Sequence, residues 1–396
     1  MKTVVQKFGG TSLNSRETRL QAAAQVKACL ESGYAPVVVV SALGRRGEPY
    51  ATDTLLELLQ KEELPVSDRE SDLLLSCGEI IAAVLMSGTL QSQGMPARAF
   101  TGTQAGIFTS AEFGSACIRE IDPVLISETI TRGLIPVVAG FQGCTATGEI
   151  TTLGRGGTDT TAVALAVALQ AERVEIYSDV CGIMTADPKL LPEARIITRL
   201  AYEEAFELSH QGARVIHPRA VELARAAGLP IHLRSTFQKE GPSTIIHHFH
   251  SDRPIIGVVK RDEIAFISII PNTASDYATG VKVFQLLASR AVSVDFIDIR
   301  PDEITFIITR SQLQQVDSLL KENGFQYTLS TEFVMISVVG AGMTGLPGVM
   351  TRIVECLRKE GITIHQTTDS HHSISCLIRQ PQEKPALLAL HKEFDL

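Results

Sequence analysis

The stretch TLGRGGTDTTA, residues 152–162, places an arginine, three glycines and an acid immediately ahead of an alanine-rich segment with helical spacing. Glycines at 154, 156 and 157 let backbone N–H groups approach a ligand, and a helix beginning near Thr158 adds the partial positive charge of its N-terminus. Arg155 offers a planar fork that suits a carboxylate or a phosphate. Two readings fit this stretch: an anion-handling turn, or an ordinary glycine turn with Thr158 or Asp159 as helix cap. A second glycine turn, QKFGGTS at residues 6–12, favours the first.

Reading outward, Thr3–Phe8 is a short strand, and Gly9, Gly10, Thr11 and Ser12 turn the chain toward an amphipathic helix over 16–32. Lys7 ends that strand, either above phosphates held at the turn or in solvent. The segment is not a Walker loop, because its lysine precedes its glycines. Residues 36–40 form a continuous β-branched run typical of a buried parallel strand, and the loop SALGRRGEPYATD follows, where ligand-binding residues collect in open sheets. Arg45 and Arg46 within it read as a charged loop tip or as phosphate contacts. A long helical pattern over 67–91 carries Glu79 inside an apolar stretch, and a buried carboxylate needs a partner: a structural cation or a substrate ammonium. Further strands are expected at Ala97–Phe100, 135–141 and 173–177, with a helix over 160–170. This alternation implies a mostly parallel sheet covered on both faces. The run HQGARVIHPRAVELARAAGLPIHLRST supplies another helix and a last strand. His247, His248 and His250, without companion ligands, read as a solvated strand end rather than a metal site.

Beyond about residue 255 the texture changes to two units of similar length. Each runs strand, helix, strand, strand and closes with another helix, which predicts a pair of small α+β modules. GAGMTG at 340–345 matches GxGxxG, but no acidic residue ends a second strand in a full βαβ unit, so a dinucleotide site is not expected there.

The 396 residues predict two to three domains, and 44% hydrophobic with 5% aromatic content suits an α/β enzyme. A net charge of -8 argues against nucleic acid or an anionic membrane surface as the main partner. The start, MKTVVQKF, lacks a signal-peptide core, and no apolar run is expected to approach the ~20 residues that span a bilayer, so a cytoplasmic location is expected. Seven cysteines, odd in number and without CxxC, read as reduced, mostly packed thiols.

KFGGTS (7–12), SCGE (76–79), TTLGRGGTD (151–159), YSDVCGIMTADP (177–188) and the GAGM and LPGV segments together resemble aspartokinase over essentially the whole chain. The resemblance implies an amino-acid kinase α/β/α sandwich over residues 1–250, followed by two ACT regulatory domains at 255–330 and 331–396. In that family the first ACT unit is inserted into the second, so the strand near 255–259 is expected to belong with the C-terminal module. PYATD, LLLSCGE and DSHHSISCLI are most similar to the diaminopimelate-sensitive aspartokinase I class of spore-forming bacteria.

The resemblance implies that MgATP and L-aspartate give 4-phospho-L-aspartate and ADP, the first step toward lysine and diaminopimelate, threonine and methionine. A β-carboxylate with a pKa near ~3.9 is already ionised at neutral pH, so no general base is required, and the barrier is chiefly electrostatic. Lys7 and Asp159 are the implied catalytic pair, with Asp159 orienting Lys7 or the metal of the nucleotide; no protein metal site is implied. Arg155 is expected on the substrate α-carboxylate and Glu79 on its ammonium, with Ser41, Thr52 and Thr158 lining the same pocket. Lys7, the amides of Phe8, Gly9 and Gly10, and Ser178, Asp179, Met184, Asp187, Lys189, Arg214 and Val215 match the nucleotide-binding positions. Thr158 stands where serine is commoner, Met184 where tyrosine is frequent, and Arg214 where many members have lysine. PNTASDYATGVKVF at 271–284 departs from the family's glycine turn, which bears on the effector site. Meso-diaminopimelate is the favoured effector, with lysine or threonine as alternatives, and a homodimer or larger oligomer is expected through the ACT units. Two other readings stand beside this one: an amino-acid kinase with another substrate, and a non-catalytic ACT-domain sensor.

Overall fold

The computed structural model describes residues 1–61, 65–213, 215–238, 241–249, 254–271, 277–341, 343 and 347–396. The chain divides into two compact units, residues 1–184 with 196–251, and residues 185–195 with 252–396.

The first unit opens with β1 (Thr3–Phe8), α1 (Arg16–Glu31) and β2 (Ala35–Val40). Ser15 caps α1 by accepting the Thr18 N–H, and Thr18 returns the favour to the Ser15 N–H, so two otherwise orphaned donors are satisfied. All six residues of β2, APVVVV, are buried, as expected of a strand covered on both faces. Next come α2 (Thr52–Lys61), α3 (Asp68–Ser92), β3 (Ala97–Phe100), β4 (Ile107–Thr109), β5 (Ile118–Ile121), α4 (Val124–Thr131) and β6 (Ile135–Ala139). The small strands β7 (Gln142–Cys144) and β8 (Ile150–Thr152) lead into α5 (Gly157–Ala168) and β9 (Arg173–Ser178). The unit closes with β10 (Arg199–Ala201), α6 (Tyr202–His210), α7 (Pro218–Ala227), β11 (Ile231–Ser235) and β12 (Thr244–His247).

Eight of these strands form one sheet in the order β10-β12-β11-β9-β1-β2-β6-β3. From β11 to β3 every pair is parallel; β12 runs antiparallel to β11, and β10 runs parallel to β12. The chain goes from β1 to β2 on one side and later to β9 on the other, which makes the C-terminal end of β1 a topological switch point, where open α/β sheets bind ligands. Successive strand residues face opposite sides. Phe8 accordingly joins the core beneath α1 and α3, stacked on Tyr177 at 4.8 Å, while Lys7 faces the side that α5 covers.

Helix α3 corrects one expectation. Its 25 residues include an 18-residue window of mean hydropathy 1.9, long and apolar enough to cross a bilayer. Ala82, Ala83, Met86 and Leu90 instead bury one stripe of it in the sheet core, and Asp72 and Glu79 lie buried on it as well. A second sheet, β5-β4-β7-β8, was not anticipated, because strands of three or four residues leave too little pattern to read. Nor was the strand pairing after the last expected one, where β12 returns antiparallel along β11. His247 and His248 pack edge-on around the buried Tyr202, and His250 lies outside the described residues. All seven cysteines are free, and Cys29, Cys144, Cys356 and Cys376 are buried.

The second unit runs β13 (Gly257–Arg261), β14 (Ile264–Ile270), α8 (Tyr277–Ser289), β15 (Asp295–Ile299), β16 (Ile304–Thr309), α9 (Leu313–Glu322) and β17 (Gln326–Ser330). It continues with β18 (Phe333–Val339), α10 (Val349–Lys359), β19 (Gln366–Asp369), β20 (Ser373–Arg379) and α11 (Glu383–Glu393). Its sheets, β15-β16-β14-β17 and β13-β18-β20-β19, have the same layout, with β13 taking in the second the place that β17 takes in the first. Gly257–Arg261 is therefore not part of the 255–330 module: its backbone pairs antiparallel with Phe333–Val339, so that the first module is inserted between β13 and β18. The sheets meet through Ile264, Phe296, Ile307, Phe333, Met335 and Leu377. Residues 185–195 also group with this unit rather than with the first 250. There Thr185 bonds His391 at 2.9 Å, and its carbonyl accepts the Val258 N–H. Residues 272–276 of the departing segment and half of GAGMTG lie outside the described residues.

Candidate active site

The site collects at the C-terminal ends of the parallel strands. Register aligns Phe8 with Val40 and Tyr177, Val40 with Ala139, and Ser178 with Ser235, so the turns that follow these residues share one edge. Gly9 to Ser12 form a tight turn closed by Ser12 N–H to Gly9 O and Leu13 N–H to Gly10 O. Gly10 must lack a side chain, since a Cβ there would stand 2.5 Å from the Ala42 carbonyl and 2.6 Å from that of Gly44. Of the three amides expected on phosphate, that of Gly9 is engaged by the Tyr177 carbonyl at 3.3 Å. Phe8 is fully buried and can offer only its backbone.

Lys7 and Asp159 meet across the face covered by α5, with Nζ 2.8 Å from Oδ1 and both side chains nearly buried. The other Asp159 oxygen accepts the His217 backbone N–H at 3.2 Å. His217 is a residue that sequence reading missed. It caps α7, accepting the Arg219 N–H, and its ring fills the space above Gly156, where a Cβ would lie 2.1 Å from Cγ. Gly156 also has φ 72°, so the position excludes side chains on two counts. Burial lowers the His217 imidazole below its usual range, with Arg219 and Arg155 adding to that and Asp159 opposing it. The available signal was His-Pro at a helix start, where a cap precedes proline at the first helical position.

Helix α3 approaches the same edge from the opposite face of the sheet. Glu79 is 2% exposed; one carboxylate oxygen accepts the Ala42 N–H at 3.1 Å, and Oε2 has no hydrogen-bond partner. Burial pushes its carboxyl up to about 8, against the lowering effect of the Ala42 N–H. Such a group favours a cation beside it. Ser41, half-buried, follows β2 directly and donates its N–H to the Phe8 carbonyl, and Thr52 begins α2. Thr158 is buried, its methyl against Gly140. Arg155 is exposed at the tip of the glycine turn, between Gly154 and Gly156, both left-handed, and forms no ion pair among the described residues.

On the other side of β1, Ser178 closes β9 and its Oγ bonds the Val180 N–H. Asp179 is paired with Arg45 at 2.6 Å, which gives the loop-tip arginine a partner beside the expected nucleotide residues. Met184 bridges Ile196, and Val215 is half-buried. Asp187 and Lys189 are exposed on the segment that groups with the second unit, where Asp187 caps its own turn through the Lys189 N–H. Arg214 lies outside the described residues.

An amino acid kinase family model matches residues 2–235, and an ACT domain model matches residues 336–394. The chain is 40% identical to aspartokinase 1 of Bacillus subtilis and 36% identical to an aspartokinase of Thermus thermophilus, covering 100% of itself and 100% and 99% of those proteins. Among solved structures, E. coli aspartokinase III in complex with aspartate and ADP superposes with a TM-score of 0.81 at 24% identity, each chain fully covered. Aspartate kinase from Synechocystis matches at a TM-score of 0.55 and 33% identity, over all of this chain and 69% of that one. Full-length identity of this order, over a chain whose strand-end site joins a lysine–aspartate pair to a buried glutamate, places the protein in the aspartokinase family, ATP-dependent kinases of the β-carboxylate of L-aspartate.

Proposed function

We propose that L-aspartate lies over the strand ends with its ammonium on Glu79 and its α-carboxylate on Arg155, while Lys7 lies between its β-carboxylate and the γ-phosphoryl group of MgATP. The observation that carries this reading is Glu79, buried, with one oxygen capped by Ala42 and the other without a partner. Ser41, Thr52 and Thr158 line the aspartate pocket. The nucleotide runs from the glycine turn at Gly9 and Gly10 toward Ser178, Asp179 and Met184, with Asp187, Lys189, Arg214 and Val215 completing its site and Mg²⁺ arriving with it. The attacking carboxylate needs no base, so Lys7 acts by offsetting repulsion between two anions and Asp159 by holding its ammonium in place.

The Glu79 carboxyl supplies a pH test. In the ligand-free protein it is mostly protonated below about 8, whereas an ammonium partner requires it ionised, so binding aspartate releases a proton. KM for aspartate should fall as pH rises from 6 toward 8, by up to about tenfold per unit, and level off above. Glu79→Gln should raise KM and flatten the profile; a wild-type KM already flat between pH 6 and 8 would remove the ammonium role.

We assign residues 1–250 to catalysis and the two ACT units, 255–330 and 331–396, to feedback control, with β13 counted in the second. A cavity of about 440 Å³ in the second unit, lined by Ile297, Asp298, Arg300, His365, Gln366 and Thr368, supports an amino-acid effector. Asp298 and Arg300, which in this structure pair with each other at 2.8 Å, bring to its wall both signs of charge that a zwitterion engages. Meso-diaminopimelate is the favoured ligand, with lysine and threonine as alternatives, acting in a cytoplasmic homodimer or larger homo-oligomer joined through the ACT units. The test is acyl-phosphate formation from MgATP and L-aspartate, trapped as the hydroxamate, with each of the three amino acids added singly. Inhibition by diaminopimelate alone is expected; inhibition by lysine or threonine would reassign the effector. A protein that is strictly monomeric with and without effectors would overturn the regulatory assembly.

A further inference from the structure

Asp72 lies on α3, seven residues before Glu79, and is 1% exposed. Seven residues are two helical turns, so the two carboxylates share a face about 10 Å apart along the axis. The carboxylate of Asp72 is fully engaged. It accepts the Thr152 N–H at 2.8 Å, the Thr152 hydroxyl at 2.6 Å and the Gly114 N–H at 2.9 Å. Between them on the same face, the Ser76 carbonyl accepts the Gln142 side-chain amide at 2.8 Å, and Gln142 pairs with Thr152 in the small sheet. One side of α3 thus grips the β7–β8 hairpin at one end and, through Glu79 and the Ala42 N–H, the end of β2 at the other.

Thr152 is the last residue of β8, and Leu153, Gly154 and Arg155 follow it directly. The Thr152 carbonyl also takes the Ala116 N–H, and a Cβ on Gly154 would meet the Gly114 carbonyl at 3.1 Å. Both segments that flank the Arg155 turn are therefore tied to the same carboxylate. We infer that Asp72 is a positioning residue for substrate selection: through Thr152 and Gly114 it sets the distance between Arg155 and Glu79, and so the placement of the β-carboxylate of the amino acid held between them. An acid is required because three donors converge on a side chain only 1% exposed, and an amide would present its own N–H groups to them.

The inference rests on Arg155 and Glu79 holding aspartate, and the test separates the two. For Asp72→Asn, KM for aspartate should rise roughly tenfold or more, with KM for ATP changed by less than about twofold. Preference for aspartate over glutamate, in the hydroxamate assay, should fall as well. In a double-mutant cycle, Arg155→Leu should cost several-fold less in the Asp72→Asn background than in the wild type, because the arginine is already misplaced. Thr152→Ser keeps both donors and should behave as wild type, while Thr152→Val, a milder change if Asp72→Asn folds poorly, should raise KM for aspartate about threefold. If Asp72→Asn and Thr152→Val both leave KM for aspartate unchanged, or if KM for both substrates moves in parallel with a fall in Tm, Asp72 is only a structural staple. If Arg155→Leu and Glu79→Gln by themselves leave KM for aspartate unchanged, the clamp itself is wrong, whatever the Asp72 variants do.

Discussion

Lys7→Met is expected to lower kcat by about three orders of magnitude and to change KM for ATP by only a few-fold. The reaction brings a carboxylate against a polyphosphate, and a unit charge ~4 Å from another contributes about 4 kcal/mol at an effective dielectric near 20, which corresponds to roughly 10³ in rate. The geometry suits that figure: the ammonium is nearly buried, held at 2.8 Å by Asp159, at the switch point where β1 ends. In the proposed arrangement it would attract both anions, with a hold that tightens as charge builds on the transferred group, so its loss is expected to be felt in the transition state more than in binding. Methionine keeps the length and apolar stem of the side chain. The variant leaves Asp159 without its cation, although the His217 N–H still donates to it, so Tm should fall by a few degrees without loss of the fold. Steady-state hydroxamate kinetics with kcat within tenfold of wild type would remove Lys7 from the chemistry.

Arg155→Leu should act differently, raising KM for aspartate about a hundredfold with a smaller fall in kcat. A guanidinium on the α-carboxylate makes two charge-assisted hydrogen bonds present in both ground and transition states, and removal of such a partner costs roughly 2–5 kcal/mol. The side chain is exposed on a turn flanked by two left-handed glycines, so its removal should leave the core and the Tm unchanged. Lysine at this position should recover only part of the loss, since a point charge does not reproduce the fork. A KM within twofold of wild type for Arg155→Leu would assign the α-carboxylate to another group.

The regular elements of the first unit were legible because each is a local pattern. β2 announces itself as a run of buried β-branched residues, α1 by its spacing and its Ser15 cap, and the glycine turns by residues that only tight backbone explains. The small β4–β8 sheet was not legible, because its strands are too short to show a period and depend on pairing with one another. The apolar run of α3 was underestimated because Glu79, read as a buried carboxylate, interrupts it, and only packing shows which stripe of the helix meets the sheet.

By itself the sequence determined the main strands and helices of the parallel sheet, the repeat in the second half, the family, and the residue types that bear on the chemistry. These are properties of segments, set by side chains a few residues apart. Tertiary structure alone decided that Lys7 meets Asp159, that the His217 amide holds the far oxygen, and that Glu79 has an oxygen to spare and a carboxyl raised by burial. It also decided that Asp72 ties down the strand leading to Arg155, and it gave the register in which β13, already expected with the C-terminal module, pairs with β18. Each of these depends on which faces pack together and on strand register between segments remote in the chain, and a local pattern specifies what a segment becomes without specifying its neighbour.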